Sequence, residues 1–126
     1  MSGLKTKDLI LYFNTRDELI RVKLSRVAFF EADANYCNIV FINGAKATIL
    51  TSLTNIETLL SEQYKGSIPV FIRIGKKIIV NSRFIFKINV QKQKITLTDY
   101  VSPNILEVSV SKESLKNLKN LYTGRN

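Results

Sequence analysis

Arg73, Lys76 and Lys77 place three positive charges within five residues, with Gly75 among them and strand-like apolar sequence on either side, Val70–Ile74 and Ile78–Val80. A short connection of this kind can turn sharply at glycine. It then carries its charges on a surface projection suited to entering a groove between phosphates. A solvated basic hairpin tip looks the same in sequence, so the setting has to decide. From Gln63 to Thr98 the chain holds Lys65, Arg73, Lys76, Lys77, Arg83, Lys87, Lys92 and Lys94, and no acidic residue. Like charges repel in a compact chain, so an uncompensated run points to a polyanionic partner, nucleic acid foremost.

Three further places bear on that chemistry. Asp33-Ala34-Asn35-Tyr36 is a polar loop ending in an aromatic; asparagine can read adenine in a major groove and tyrosine can meet a phosphate, although in isolation a turn with Tyr36 packed on a sheet explains it as well. Ser111-Lys112 opens the last helical segment, where a hydroxyl and free backbone N–H groups suit either a phosphate or an ordinary cap. In Asn81-Ser82-Arg83, Asn81 is expected to hold a turn through side-chain hydrogen bonds, and Arg83 is open to a phosphate contact. Phe71, Phe84 and Phe86 lie among the basic residues, but in runs with Ile and Val that favour core packing over base stacking.

Composition excludes other chemistry. The chain has no histidine and one cysteine, Cys37, which removes the commonest general base and metal ligand, any Cys–His pair, any internal disulfide and any conventional zinc site. Cys37 sits in a strand run and is expected to be a small buried or half-buried side chain. An enzyme would need a concave pocket gathering Glu31, Asp33 or Asp99 near a lysine, and no motif gathers them; no catalytic residue, metal, cofactor or small-molecule substrate is expected. No signal segment opens the chain and no apolar run approaches the roughly 20 residues of a membrane span, so the expectation is a cytoplasmic protein with no membrane partner. The 126 residues carry 19 Lys and Arg against 10 Asp and Glu, net +9, and are 45% apolar. That suits one domain over 1–126 with a real core, residues 1–7 being flexible.

The elements that would position these residues are mostly strands. Leu9–Phe13 and Leu19–Leu24 flank a turn at Asp17-Glu18; Val27–Glu31 and Tyr36–Ile42 flank a loop at Ala32–Asn35. Asn43-Gly44 is a strong hairpin signal and predicts pairing of Tyr36–Ile42 with Ala45–Leu50. After Thr51-Ser52, the spacing of Leu53, Ile56, Leu59 and Leu60 predicts a helix, ended within Gln63–Pro69. Strand character returns at Val70–Ile74, Ile78–Val80, Ile85–Val90, Ile95–Thr98 and Ile105–Val110, with turns at Gln91–Lys94 and Ser102-Pro103-Asn104. A last helix capped by Ser111 would carry Leu115, Leu118, Leu121 and Tyr122 as its apolar stripe. Nothing repeats as βαβ units, so the fold class is mainly β, antiparallel, with two short helices.

In this order the pieces resemble a known family. Phe29-Phe30-Glu31-Ala32-Asp33-Ala34-Asn35-Tyr36 resembles the "yiEA..nY" segment of LytTR DNA-binding domains, output modules of many bacterial two-component response regulators. Thr51-Ser52-Leu53 is similar to their "sL..le..L" element, Phe71 through Asn81 to "F.RiHRSyiVN", and Val108-Ser109-Val110-Ser111-Lys112 to the closing "l.vSr". The resemblance runs from about Asp8 onward in the correct order and spacing. It departs at "HRS", where this chain has Gly75, Lys76 and Lys77. Lysine holds a phosphate or a guanine edge but lacks arginine's planar fork, which predicts retained affinity with a shifted or relaxed base preference. No receiver domain is expected ahead of the β domain, and if these residues are the full product, control by phosphorelay in cis is not available.

The resemblance implies an elongated fold of antiparallel sheets whose loops, rather than a recognition helix, enter successive major grooves of double-stranded DNA. Carried over by position, the contacts are Asn35 and Tyr36, then Arg73, Lys76 and Lys77, then Ser111 and Lys112. Arg73 would support the loop or meet a phosphate. It also implies a regulator of transcription, with a homodimer on paired sites. A basic β domain that binds RNA or an acidic protein without reading sequence is the alternative.

Overall fold

The computed structural model describes residues 9–63, 70–103 and 105–124, without the side chain of Gln63. The expected flexible start, Lys65 with most of the Gln63–Pro69 helix terminator, and Asn104 of the last turn lie outside the described residues.

Among the described residues, ten strands and two α-helices follow one another as β1 (Ile10–Asn14), β2 (Leu19–Lys23), β3 (Val27–Asp33), β4 (Tyr36–Phe41), β5 (Lys46–Ile49), α1 (Leu53–Gln63), β6 (Phe71–Ile74), β7 (Ile78–Asn81), β8 (Ile85–Asn89), β9 (Lys94–Leu97), β10 (Leu106–Ser109) and α2 (Lys112–Thr123). Every pairing is antiparallel. The central sheet has the order β5-β4-β3-β7-β6, and the smaller sheets are β1-β2 and β10-β9-β8. The mainly β, two-helix architecture is the one the hydrophobic pattern predicts.

Alternation along the central strands supplies two cores, one on each face. Phe30, Cys37, Ile39, Ile49 and Ile79 face the β1-β2 hairpin and α1, which contribute Leu11, Phe13, Val22, Leu53, Ile56 and Leu60. Phe29, Ile74, Ile78 and Val80 face the other way, onto Ile95, Leu97, Val108, Leu115 and Leu118 from the small sheet and α2. A register shift between Val27 and Phe29 inserts one residue into β3. That bulge sets Ala28 and Phe29 together on the second face while Val27 and Phe30 serve the first. Burying side chains of this size is worth about 1.5–3 kcal/mol each.

Local signals behave as their chemistry requires. Gly44 takes φ +94° in the β4–β5 hairpin, where Asn43 Oδ1 accepts from Ala45 N at 2.9 Å. Ser52 Oγ caps α1 by accepting from Asn55 N at 3.0 Å. Asn81 is structural as expected: 1% exposed, its Nδ2 donates to Val27 O at 2.9 Å and its Oδ1 accepts from Arg83 N at 3.0 Å.

Three expectations need correction. The stretch Ala32–Asn35 is not a loop throughout. β3 runs to Asp33, which pairs with Tyr36, so only Ala34 and Asn35 turn, with Ala34 at φ +55°. Phe86 is not a core residue; β8 shifts register between Ile85 and Lys87, and the bulge leaves Phe86 55% exposed, edge-on to Tyr100 at 6.0 Å between ring centroids. The apolar stripe of α2 is only half buried: Leu115 and Leu118 are covered, whereas Leu121 and Tyr122 are largely exposed, Tyr122 donating its hydroxyl to Ser82 O at 3.5 Å.

Candidate nucleic-acid interface

The 75–77 turn is held by the residues on either side of it. Ile74 and Ile78 pair across β6 and β7, and both are 5% exposed in the second core. Gly75, at φ +65°, makes the reversal. Lys76 and Lys77 are left exposed at the tip. Neither has an acidic partner among the described residues, whereas Lys94 pairs with Glu107 at 3.2 Å and Arg26 with Asp99 at 3.5 Å. The long cationic chains at the tip are therefore available to a phosphate or a base edge.

The β3–β4 turn stands beside it. β3 pairs with β7 as Glu31↔Ile78, and Ala32 N donates to Lys77 O at 2.8 Å, so the two turns leave the same end of the sheet. Asn35 is exposed at the tip and Tyr36, the first residue of β4, is 48% exposed rather than packed down. The base of this turn is tied across three strands: Asn38 Nδ2 donates to Asp33 Oδ2 at 3.5 Å, and Thr48 Oγ1 donates to Asn38 Oδ1 at 2.7 Å.

The start of α2 completes the row. A methyl added at Gly75 would lie 3.5 Å from Ser114 Oγ, which puts the first turn of α2 against the 75–77 turn. Ser111 caps the helix, its Oγ accepting from Ser114 N at 3.3 Å, and both Ser111 and Lys112 are exposed. Across the sheet the order is the Asn35 turn between β4 and β3, then the Lys76–Lys77 turn between β7 and β6, with the N-terminus of α2 against the latter from the second face.

Two of the candidate residues stand differently. Arg73 is in β6, its side chain 26% exposed, and its guanidinium is turned inward: Nη1 donates to Glu57 Oε1 at 3.1 Å and Nη2 to the Lys76 carbonyl at 3.1 Å. Arg83 is exposed in the single 3-10 turn after β7, at the strand end opposite Lys77. The structure brings Asn35, Tyr36, Lys76, Lys77, Ser111 and Lys112 together and leaves Arg83 outside that group. Glu57 carries no signal in the sequence; it lies 16 residues from Arg73 on a separate element, and only the fold joins them.

The acids an enzyme would need are not gathered. Asp33 is at one end of β3, whereas Asp99 is beside Arg26, which precedes the other end. Ser102 and Val101 backbone N–H groups hold the Asp99 carboxyl down at about 2. Burial pushes the Cys37 thiol up to about 11. Among the described residues no group of three or more His, Cys, Asp or Glu could hold a metal ion, and no helix is long and apolar enough to cross a membrane.

Comparison with known proteins gives this arrangement a family. No curated protein matches the chain. Among solved structures, the LytTr DNA-binding domain of a putative methyl-accepting/DNA response regulator from Bacillus cereus has the same fold, with a TM-score of 0.63 and 24% identity over 93% of this chain and 98% of that one. The sequence model of the LytTr DNA-binding domain matches residues 17–123. That stretch contains both turns, both helices and all three sheets except β1, and the chain belongs to the LytTR family of DNA-binding domains.

Proposed function

We propose that this protein, as a single domain in the cytoplasm, regulates transcription by binding double-stranded DNA with sequence preference, reading it through loops in the major groove. The observation that carries the reading is the row at one end of the central sheet. There two turns leave the same sheet end and the first turn of α2 lies against one of them, with Asn35, Tyr36, Lys76, Lys77, Ser111 and Lys112 all exposed. Lys76 and Lys77 contact base edges or flanking phosphates, Asn35 supplies a second base contact, and Tyr36, Ser111 and Lys112 meet the backbone.

Two strand spacings of about 4.8 Å separate the centres of the two turns, on the order of 10 Å. A major groove is about 12 Å wide. The neighbouring turns thus fit one groove and its flanking phosphates, and the α2 N-terminus extends the contact toward the next groove. Arg83, at the far end of β7, has no DNA contact in this reading. A homodimer on DNA would appear as two half-sites separated by one or more helical turns.

Selection from a randomised duplex pool, read by sequencing and by fluorescence anisotropy, tests the proposal. An enriched motif is the expected result. Recovery of no motif, with RNA competing equally well, would reduce the basic face to a general polyanion surface.

A further inference from the structure

We propose that Glu57 and Arg73 are positioning residues for the 75–77 turn: together they brace α1 against the turn and fix the conformation in which Lys76 and Lys77 meet DNA. The inference rests on the proposed role of that turn in DNA binding. One guanidinium joins the two elements. Its Nη1 reaches Glu57 Oε1 at 3.1 Å, with Thr54 Oγ1 at 3.5 Å on the same helix, while Nη2 reaches the Lys76 carbonyl at 3.1 Å. That carbonyl lies beyond the last β6–β7 ladder pair, Ile74↔Ile78, and the sheet next holds the chain only at Lys77 O, through Ala32 N at 2.8 Å. α1 is a firm support, because Leu53, Ile56 and Leu60 are buried in the first core.

The arrangement needs arginine at 73. Its planar fork presents several donors in fixed directions, so it can hold a carboxylate and a carbonyl at once, which a lysine ammonium on a flexible stem does poorly. It also accounts for an acid beside a DNA-binding surface. Glu57, its side chain 53% exposed, repels phosphate over the range of a Debye length, a cost that positioning of the turn would offset.

The brace and simple electrostatics predict opposite signs. Glu57→Gln raises the formal charge from +9 to +10, so charge alone predicts tighter binding to any duplex. The brace predicts binding to the selected duplex weakened by about fivefold or more, with binding to scrambled duplex unchanged or tighter. Arg73→Gln should weaken the selected duplex while leaving the slope of log K against log salt as in wild type. Arg73→Lys, which keeps the charge, should not restore binding. In the free protein both Glu57→Gln and Arg73→Lys should speed hydrogen exchange at the end of the turn, at the Ile78 amide and at the Ala32 amide that donates to Lys77 O, with the rest of β6 and β7 unaffected.

The proposal is overturned if Glu57→Gln binds the selected duplex as tightly as wild type or more so. It is also overturned if Arg73→Gln lowers the salt slope by about one while Glu57→Gln leaves it unchanged, the mark of a phosphate that Arg73 itself had neutralised. Should the wild-type protein select no motif, the DNA-reading proposal itself fails. The exchange measurement then decides the brace alone, unchanged amide protection overturning it and faster exchange at the turn supporting it.

Discussion

Lys76 and Lys77 keep their charges in solvent, while Arg73, three residues earlier in the chain, commits its own to Glu57 and a backbone carbonyl. Equal formal charge in one short segment thus has two uses, and only the partners distinguish them. The same holds for the two groups with displaced titrations. Cys37 is fully buried and its thiol is raised to about 11 by burial. The thiolate is the reactive form, so the folded protein at pH 8 should resist maleimide or disulfide reagents that label the denatured chain at once. Prompt labelling of the native protein would contradict this burial. Because the shift is upward, the associated stability is present below the ordinary thiol value of 9.0 and is lost as pH rises toward 11. Asp99 has the opposite sign. Its carboxyl accepts from Ser102 N at 2.7 Å and Val101 N at 3.0 Å, with burial opposing and the Ser102 hydroxyl and Arg26 charge adding to the depression. The stability it contributes is present above pH 3.8 and is lost as pH falls through about 2. Asp99→Asn should therefore flatten the acid limb of a stability–pH curve; an unchanged limb would mean that the loop does not hold Asp99 as described.

The elements divide between those that local pattern determines and those that depend on a neighbour. The Asn43-Gly44 hairpin, the Ser52 and Ser111 helix caps and the structural role of Asn81 were legible, since each rests on a short-range requirement for a turn residue or an acceptor. The β8 bulge that exposes Phe86 was not, because an inserted residue in a strand is defined by the partner strand's register. Leu121 and Tyr122 show a related limit: period says which residues share a helical face, not how deeply each is covered by the elements opposite. The useful part of α2 is its first half, where Leu115 and Leu118 bind it to the second core beneath the 75–77 turn. Leu115→Ala should cost about 2–5 kcal/mol in denaturant unfolding. Ser111→Ala should cost about 1 kcal/mol through removal of the cap. If Ser111→Ala were neutral for folding yet weakened DNA binding, its hydroxyl would be serving DNA rather than the helix.

Across the whole molecule, the central sheet turns a sequence-wide charge excess into a directed surface. The run from Gln63 to Thr98 carries no acid, and that alone points to the Gly75-Lys76-Lys77 turn without any geometry. Its alignment with the Asn35 turn and with the start of α2 depends on the order β4-β3-β7-β6, which places segments far apart in sequence at one sheet end. No local pattern contains that order; only the family resemblance implies it. If this end reads DNA through Lys76 and Lys77, the most direct test compares the motif selected by wild type with that selected by Lys76→Ala/Lys77→Ala, at two salt concentrations. If these lysines read bases, the variant loses preference at a contiguous subset of positions, each base contact by a side chain being worth about 1–3 kcal/mol. The salt slope should also fall by about one for each phosphate the two lysines neutralise. An unchanged motif with an unchanged slope would show that this turn does not touch the DNA.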